Sequence, residues 1–109
     1  EASAQKTDRI MSERTAQTLQ QYLRNNVQTI YGDGNFPGLS VCAKSGTSQL
    51  GGGQKSNAMF AGFVEDEAYP LAFVVFAERG GSGSQTAAPI AAKVLNACKT
   101  VLDAPNPNG

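Results

Sequence analysis

A cation, two hydroxyl groups and a glycine follow one another at Lys44, Ser45, Gly46 and Thr47, which we call the K-S-G-T segment. Residues of these types can bind a ligand through charge and side-chain hydrogen bonds. The glycine lets a ligand backbone come close, because no Cβ obstructs it. The four residues alone are weak evidence, since a strand end that enters a glycine turn would have the same composition.

Other groups that could do chemistry are weaker candidates. The glycines at 51–53 could suggest a phosphate loop, but no helix start and no G-K-[ST] follow them, so we interpret them as a hairpin rim. Glu65, Asp66 and Glu67 could form a carboxylate cluster, although a solvated turn is the simpler interpretation. With two cysteines and no histidine we expect no metal site, and a single disulfide stays open. We expect no cofactor.

The composition limits the function classes. The chain has 109 residues with 9 basic and 9 acidic side chains, so it offers no electrostatic surface for nucleic acid or an anionic membrane. Its longest apolar run, residues 71–77, is far shorter than the roughly 20 residues of a membrane-spanning helix. Residues 1–7 are polar and lack a signal sequence, which leads us to expect a segment of a longer protein.

The residues before the K-S-G-T segment predict a helix over 13–30. Ser12 can cap its start, and the glycines at 32 and 34 favour a turn after its end. Apolar residues recur at helical spacing and should form one face of this helix. They are Leu19, Tyr22, Leu23, Val27 and Ile30.

Three strands and a second helix complete the prediction. The strands cover residues 39–47, 57–65 and 70–78, and their short connections favour an antiparallel meander. The third strand is apolar on both faces, which is typical of a strand covered on both sides. The last helix covers residues 86–102, with Thr86 as its cap and Pro89 in its first turn. We therefore predict an α+β fold in which two helices flank a three-stranded sheet.

The chain resembles the transpeptidase domain of penicillin-binding proteins, whose motifs are S-x-x-K, S-x-N and K-[ST]-G. The K-S-G-T segment matches the third motif, and similar segments flank it over roughly nine-tenths of the chain. In chain order these segments are 9–13 with Thr15, Ala16 and Leu19, then 37–48, 57–63, 69–72 with Val74 and Val75, 78–81, and 87–91.

This resemblance implies a partial penicillin-binding or β-lactamase-like fold and a role for the K-S-G-T segment. In the family a serine attacks a D-Ala-D-Ala stem peptide or a β-lactam and forms an acyl-enzyme. By the resemblance, Lys44 would supply charge toward the substrate carboxylate, and the Ser45 and Thr47 hydroxyls would hydrogen-bond it. A backbone N–H just past Gly46 would contribute to an oxyanion hole.

The chain departs from the family pattern at the nucleophile. No Ser-x-Asn occurs in it, and its one S-x-x-K match runs from Ser3 to Lys6. That match lies in a polar start and only about 40 residues before Lys44, too close to contain the middle motif. We therefore predict a C-terminal segment that lacks its catalytic serine and is inactive by itself.

Two alternatives stay open from the sequence. A β-lactamase or β-lactam-sensor domain shares the Lys-[Ser/Thr]-Gly motif. A non-catalytic binding or structural module of the same fold would also lack the nucleophile. For the transpeptidase interpretation, the resemblance implies a membrane-anchored parent on the extracytoplasmic face of a bacterial membrane. It also implies that the sheet lacks two neighbouring strands, so the edge of strand 70–78 would be exposed and could pair with a second copy.

Overall fold

The computed structural model describes residues 3–48, 51–53 and 56–105. Within them two α-helices, α1 (Glu13–Asn26) and α2 (Ala88–Asp103), flank three strands, β1 (Val41–Ser48), β2 (Asn57–Val64) and β3 (Ala72–Ala77). The strands are antiparallel and lie in the order β1-β2-β3. This arrangement confirms the predicted α+β meander. Neither helix in the described ranges is long and apolar enough to cross a membrane.

The core lies between one face of the sheet and α2. Val41 and Ala43 of β1, Phe60 of β2 and Leu95 of α2 are almost fully buried in it. The Phe60 ring stacks on Phe36 with centroids 6.4 Å apart. Because alternate strand residues share a face, the odd-numbered residues of β1 point their side chains toward this core.

β1 is an edge strand, and the register of its pairing fixes which backbone groups are free. Its pairing with β2 has no bulge. It begins with Val41 opposite Val64 and ends with Ser48 opposite Asn57. The Ser40 carbonyl accepts a hydrogen bond from the Glu65 N–H at 2.9 Å, which marks even-numbered residues as the ones that pair with β2. Backbone groups alternate in direction along a strand, so those of residues 41, 43, 45 and 47 point outward.

Most members of the apolar face predicted for the first helix are exposed. Leu19, Tyr22 and Ile30 are 47%, 67% and 66% exposed, and α1 contains no buried residue. The helix lies against β1, where outward carbonyl groups need hydrogen-bond donors, so polar side chains such as Arg24 and Asn26 face the sheet instead.

The end of the first helix also differs from the prediction. α1 ends at Asn26 and continues into a π-turn (Val27–Tyr31), which closes with a hydrogen bond from the Gly32 N–H to the Val27 carbonyl at 2.7 Å. Gly32 has a φ of +91°, a conformation that glycine adopts readily and that stops the helix.

β3 is not covered on both sides. Val74 and Phe76 are 70% and 55% exposed, and β3 pairs only with β2 within the described residues. Nearby, α2 and Leu71 line an apolar groove of about 410 Å³. The apolar pattern indicates that both faces of β3 need a covering layer, but it does not show where that layer comes from. No described part of the chain covers Val74 and Phe76.

The start of the last helix differs from the prediction. A second π-turn (Gly83–Ala87) precedes α2, and Ser82 rather than Thr86 caps it by accepting the Gln85 N–H at 3.3 Å. Thr86 instead donates its hydroxyl to the Gly80 carbonyl at 2.6 Å.

Cys42 is buried, Cys98 is half-buried, and both are free thiols.

Candidate functional site

The K-S-G-T segment lies in the second half of β1. Lys44 and Thr47 are exposed, whereas Ser45 and Gly46 are half-buried. The sequence predicted that these four residues lie on one strand, and they do. Their substrate-binding role stays a prediction.

Side chains cap the outer edge of β1 one carbonyl at a time. Arg24 donates to the Val41 carbonyl at 2.9 Å, and Asn26 donates to the Ala43 carbonyl at 3.2 Å. The next outward carbonyl, that of Ser45, accepts a hydrogen bond from the Lys44 ammonium at 2.7 Å. Lys44 therefore holds its charge at the outer edge of β1.

Tyr31 contacts Ser45 twice. The Ser45 N–H donates to the Tyr31 hydroxyl at 2.8 Å, and the Tyr31 hydroxyl donates to Ser45 Oγ at 2.9 Å. The Tyr31 ring is fixed edge-on against Phe60, with centroids 4.9 Å apart. In the part of the chain that the structure describes, no side chain reaches the next outward N–H, that of Thr47.

The second π-turn contacts the end of the K-S-G-T segment. The Gly83 N–H donates to Thr47 Oγ1 at 3.3 Å. A Cβ on Gly83 would lie 2.5 Å from the Gly46 and Met59 carbonyl oxygens, so only glycine fits there. A Cβ on Gly46 would meet only the Met59 Cβ, at 3.8 Å, among the described residues. Packing within these residues therefore does not require the glycine at position 46.

A polar cluster ties α1 to the start of β1. Arg24 binds the Asp33 carboxylate through two hydrogen bonds of 2.8 and 2.7 Å, and this contact raises the pKa of the guanidinium.

Burial and then a hydrogen bond with Glu65 raise the pKa of the Cys42 thiol to about 12. A thiol with that pKa stays protonated near neutral pH, so Cys42 is a packing residue and not a nucleophile.

The other predicted candidates lie elsewhere. Ser3 and Lys6 are exposed in a segment without regular structure. Asp66 is more than a solvated turn residue, because its carboxylate accepts the Ser40 N–H at 3.0 Å and holds the start of β1. No group of three potential metal ligands occurs in residues 3–48, 51–53 and 56–105. In the predicted hairpin rim Gly51, Gly52 and Gly53 all have positive φ, and the loop residues beside them at 49–50 and 54–55 lie outside the described residues.

Sequence reasoning missed Tyr31, Gly83 and the polar contacts of α1. Tyr31 and Gly83 each belong to a π-turn, and such turns occur frequently at functional sites. One signal was available for Arg24 and Asn26. These two polar residues stand close to apolar residues of the helix in the sequence. Polar donors in such a position are what a helix needs when it packs against the edge of a strand.

The comparisons with known proteins identify the family. A family model described as the penicillin binding protein transpeptidase domain matches residues 1–96. The chain therefore belongs to the penicillin-binding transpeptidase family, which confirms the resemblance found in its sequence. Among solved structures it is similar to PBPA from Mycobacterium tuberculosis, with 25% identity and a TM-score of 0.68. That match covers 81% of this chain and 23% of the PBPA chain. No curated protein matches the chain.

Proposed function

We propose that this chain is the C-terminal segment of a peptidoglycan D,D-transpeptidase domain. In this proposal the K-S-G-T segment binds the terminal carboxylate of a D-Ala-D-Ala stem peptide or of a β-lactam. One observation carries it: the Lys44 ammonium donates to the Ser45 carbonyl at the outer edge of β1, and Ser45, which also carries a hydroxyl, and Thr47 both turn their backbone groups toward that edge. An ammonium and a hydroxyl are the donors that suit a carboxylate.

The same edge suits the chemistry of acyl transfer. A peptide that lies along β1 can form backbone hydrogen bonds with an outward-pointing residue, as in other strand-addition complexes. The Thr47 N–H points outward and would donate to the oxyanion that forms when the serine attacks. The open space at Gly46 allows the reacting carbonyl to come close.

The reactive serine is proposed to come from outside this segment. Ser3 and Lys6 lie in an exposed, irregular stretch that has no helix to orient them, and the sequence contains no Ser-x-Asn. A serine nucleophile needs an adjacent base held within hydrogen-bond reach. The isolated chain should therefore be inactive, whereas the parent should be acylated by penicillin on the extracytoplasmic face of the membrane that anchors it.

The exposed apolar surface of β3 fits this proposal. Val74 and Phe76 would be covered by the rest of the transpeptidase domain in the parent. Within the described residues the other edge of this strand has no partner and its outer face is apolar, so the isolated chain should pair with a second copy. We therefore propose that the segment associates with itself when it is separated from its parent.

Penicillin labelling tests the proposal. A fluorescent penicillin should label the parent protein covalently but not the isolated 109-residue chain. In the parent, Lys44→Ala should slow acylation at least about tenfold, because one charge-assisted hydrogen bond contributes roughly 1.5–3 kcal/mol. Lys93→Ala removes an exposed lysine of α2 and is the matched control. Labelling of the isolated chain at Ser3, or a Lys44→Ala parent with unchanged acylation, would contradict the proposal.

A further inference from the structure

The two hydrogen bonds between Tyr31 and Ser45 determine what each group can still do. The Tyr31 hydroxyl has one hydrogen, and Ser45 Oγ accepts it at 2.9 Å. The Ser45 hydroxyl therefore keeps its own hydrogen for another acceptor. A carboxylate accepts hydrogen bonds and cannot donate one, so this arrangement leaves Ser45 in the state that a carboxylate ligand requires.

The second bond removes a backbone group from the binding edge. The Ser45 N–H points outward and would otherwise be open to a ligand backbone, but it donates to the Tyr31 hydroxyl at 2.8 Å. The outward carbonyls of Val41 and Ala43 are already occupied by α1 side chains. Among the described residues these three outward groups of β1 are thus occupied, and Thr47 carries the next outward N–H with which a ligand can pair.

Tyr31 is held in place from several directions. It ends the first π-turn, and its carbonyl accepts a hydrogen bond from the Asn35 side chain at 2.8 Å. Its ring packs edge-on against the fully buried Phe60, which lies directly opposite Ser45 on β2. A hydroxyl fixed in this way orients its partner before a ligand arrives, which lowers the cost of binding.

We infer that Tyr31 is a positioning residue for the carboxylate-binding site of this transpeptidase, an inference that rests on the function proposed above. It acts through Ser45 and not through direct contact with substrate. It orients the Ser45 hydroxyl as a donor, and it occupies the Ser45 N–H so that the peptide or β-lactam ligand begins its backbone pairing at Thr47.

The test is Tyr31→Phe in the complete transpeptidase that contains this segment. Phenylalanine keeps the ring contact with Phe60 and removes only the hydroxyl. We expect the dissociation constant of the initial, noncovalent β-lactam complex to rise about tenfold, the effect of one or two net hydrogen bonds. The melting temperature should fall by no more than a few degrees, because water can replace the phenol at the half-buried Ser45. Tyr22→Phe is the control, because Tyr22 is 67% exposed on α1.

A double-mutant cycle separates positioning from a general structural role. If Tyr31 acts through Ser45, the Tyr31→Phe and Ser45→Ala effects on the dissociation constant should combine to clearly less than their product. Effects that multiply fully, or a Tyr31→Phe enzyme that binds β-lactam like the unmodified one, would overturn the inference. Failure of the proposed function would look different, since the unmodified parent would then not be acylated at all.

Discussion

Gly83 offers the sharpest test of how the site is built. It begins the second π-turn, is buried, and donates its N–H to Thr47 Oγ1. A Cβ at this position would lie 2.5 Å from the Gly46 and Met59 carbonyl oxygens and 3.0 Å from the Gly46 nitrogen. All three are backbone atoms, so they cannot rotate away. In Gly83→Ala the turn itself must move away from β1 and β2.

The size of the effect follows from these contacts. Overpacking of a well-packed site typically costs roughly 1–3 kcal/mol. The weakened hydrogen bond to Thr47 adds about 1 kcal/mol. We expect Gly83→Ala to lower the stability of the transpeptidase by roughly 2–4 kcal/mol. Acylation should slow in addition, because the turn supports the Thr47 hydroxyl at the proposed binding edge.

Thermal unfolding and β-lactam acylation of the complete transpeptidase measure the two effects. A loss of this size should lower the melting temperature by several degrees. Gly34→Ala is the matched control, because a Cβ there meets nothing within 4 Å. If Gly83→Ala melts and reacts like the control, the close approach of the second π-turn to β1 does not support the site, and the reasoning is refuted.

Three further predictions follow from the described contacts. Arg24→Ala should cost about 2–3 kcal/mol in a denaturant titration, because it leaves a carboxylate and a strand carbonyl without their donor; the exposed Arg14→Ala should cost far less. The free energy of unfolding should fall by up to about 1.4 kcal/mol per unit as the pH rises from about 9 toward 12, since there only the unfolded chain loses the Cys42 thiol proton. Cys42→Ala should lack that component of the slope. In light scattering, the isolated chain should associate, and the substitutions Val74→Lys and Phe76→Lys should keep it monomeric. An unmodified chain that stays monomeric at high concentration would contradict this prediction.

The sheet and the binding strand were predictable because their signals are local. Alternation from Val41 to Thr47 and the apolar run at 71–77 indicate strands whatever surrounds them. The short connections then fix an antiparallel meander. The K-S-G-T segment gained meaning only from the family-like segments around it, which predicted the family that residues 1–96 match.

The rest depended on what each element packs against. Helical spacing assigned Leu19, Tyr22 and Ile30 to one apolar face but could not show that this face is exposed, because the first helix lies along a strand edge, where donors such as Arg24 are needed. The π-turns have no comparable sequence pattern, so the contact of Tyr31 with Ser45 could not be predicted. Both failures have one cause: a periodic pattern does not specify the partner surface.

The first π-turn also sets a phase between two elements. Its closing bond joins residues five apart instead of the four apart of an α-helix, so this turn contains one more residue than an α-helical turn. Each α-helical residue advances the side-chain direction by about 100°. Removing one residue from Val27–Tyr31 would restore α-helical phase and turn the phenol away from Ser45. The geometry of the binding edge is therefore sensitive to chain length at this turn, independently of which residues the turn contains.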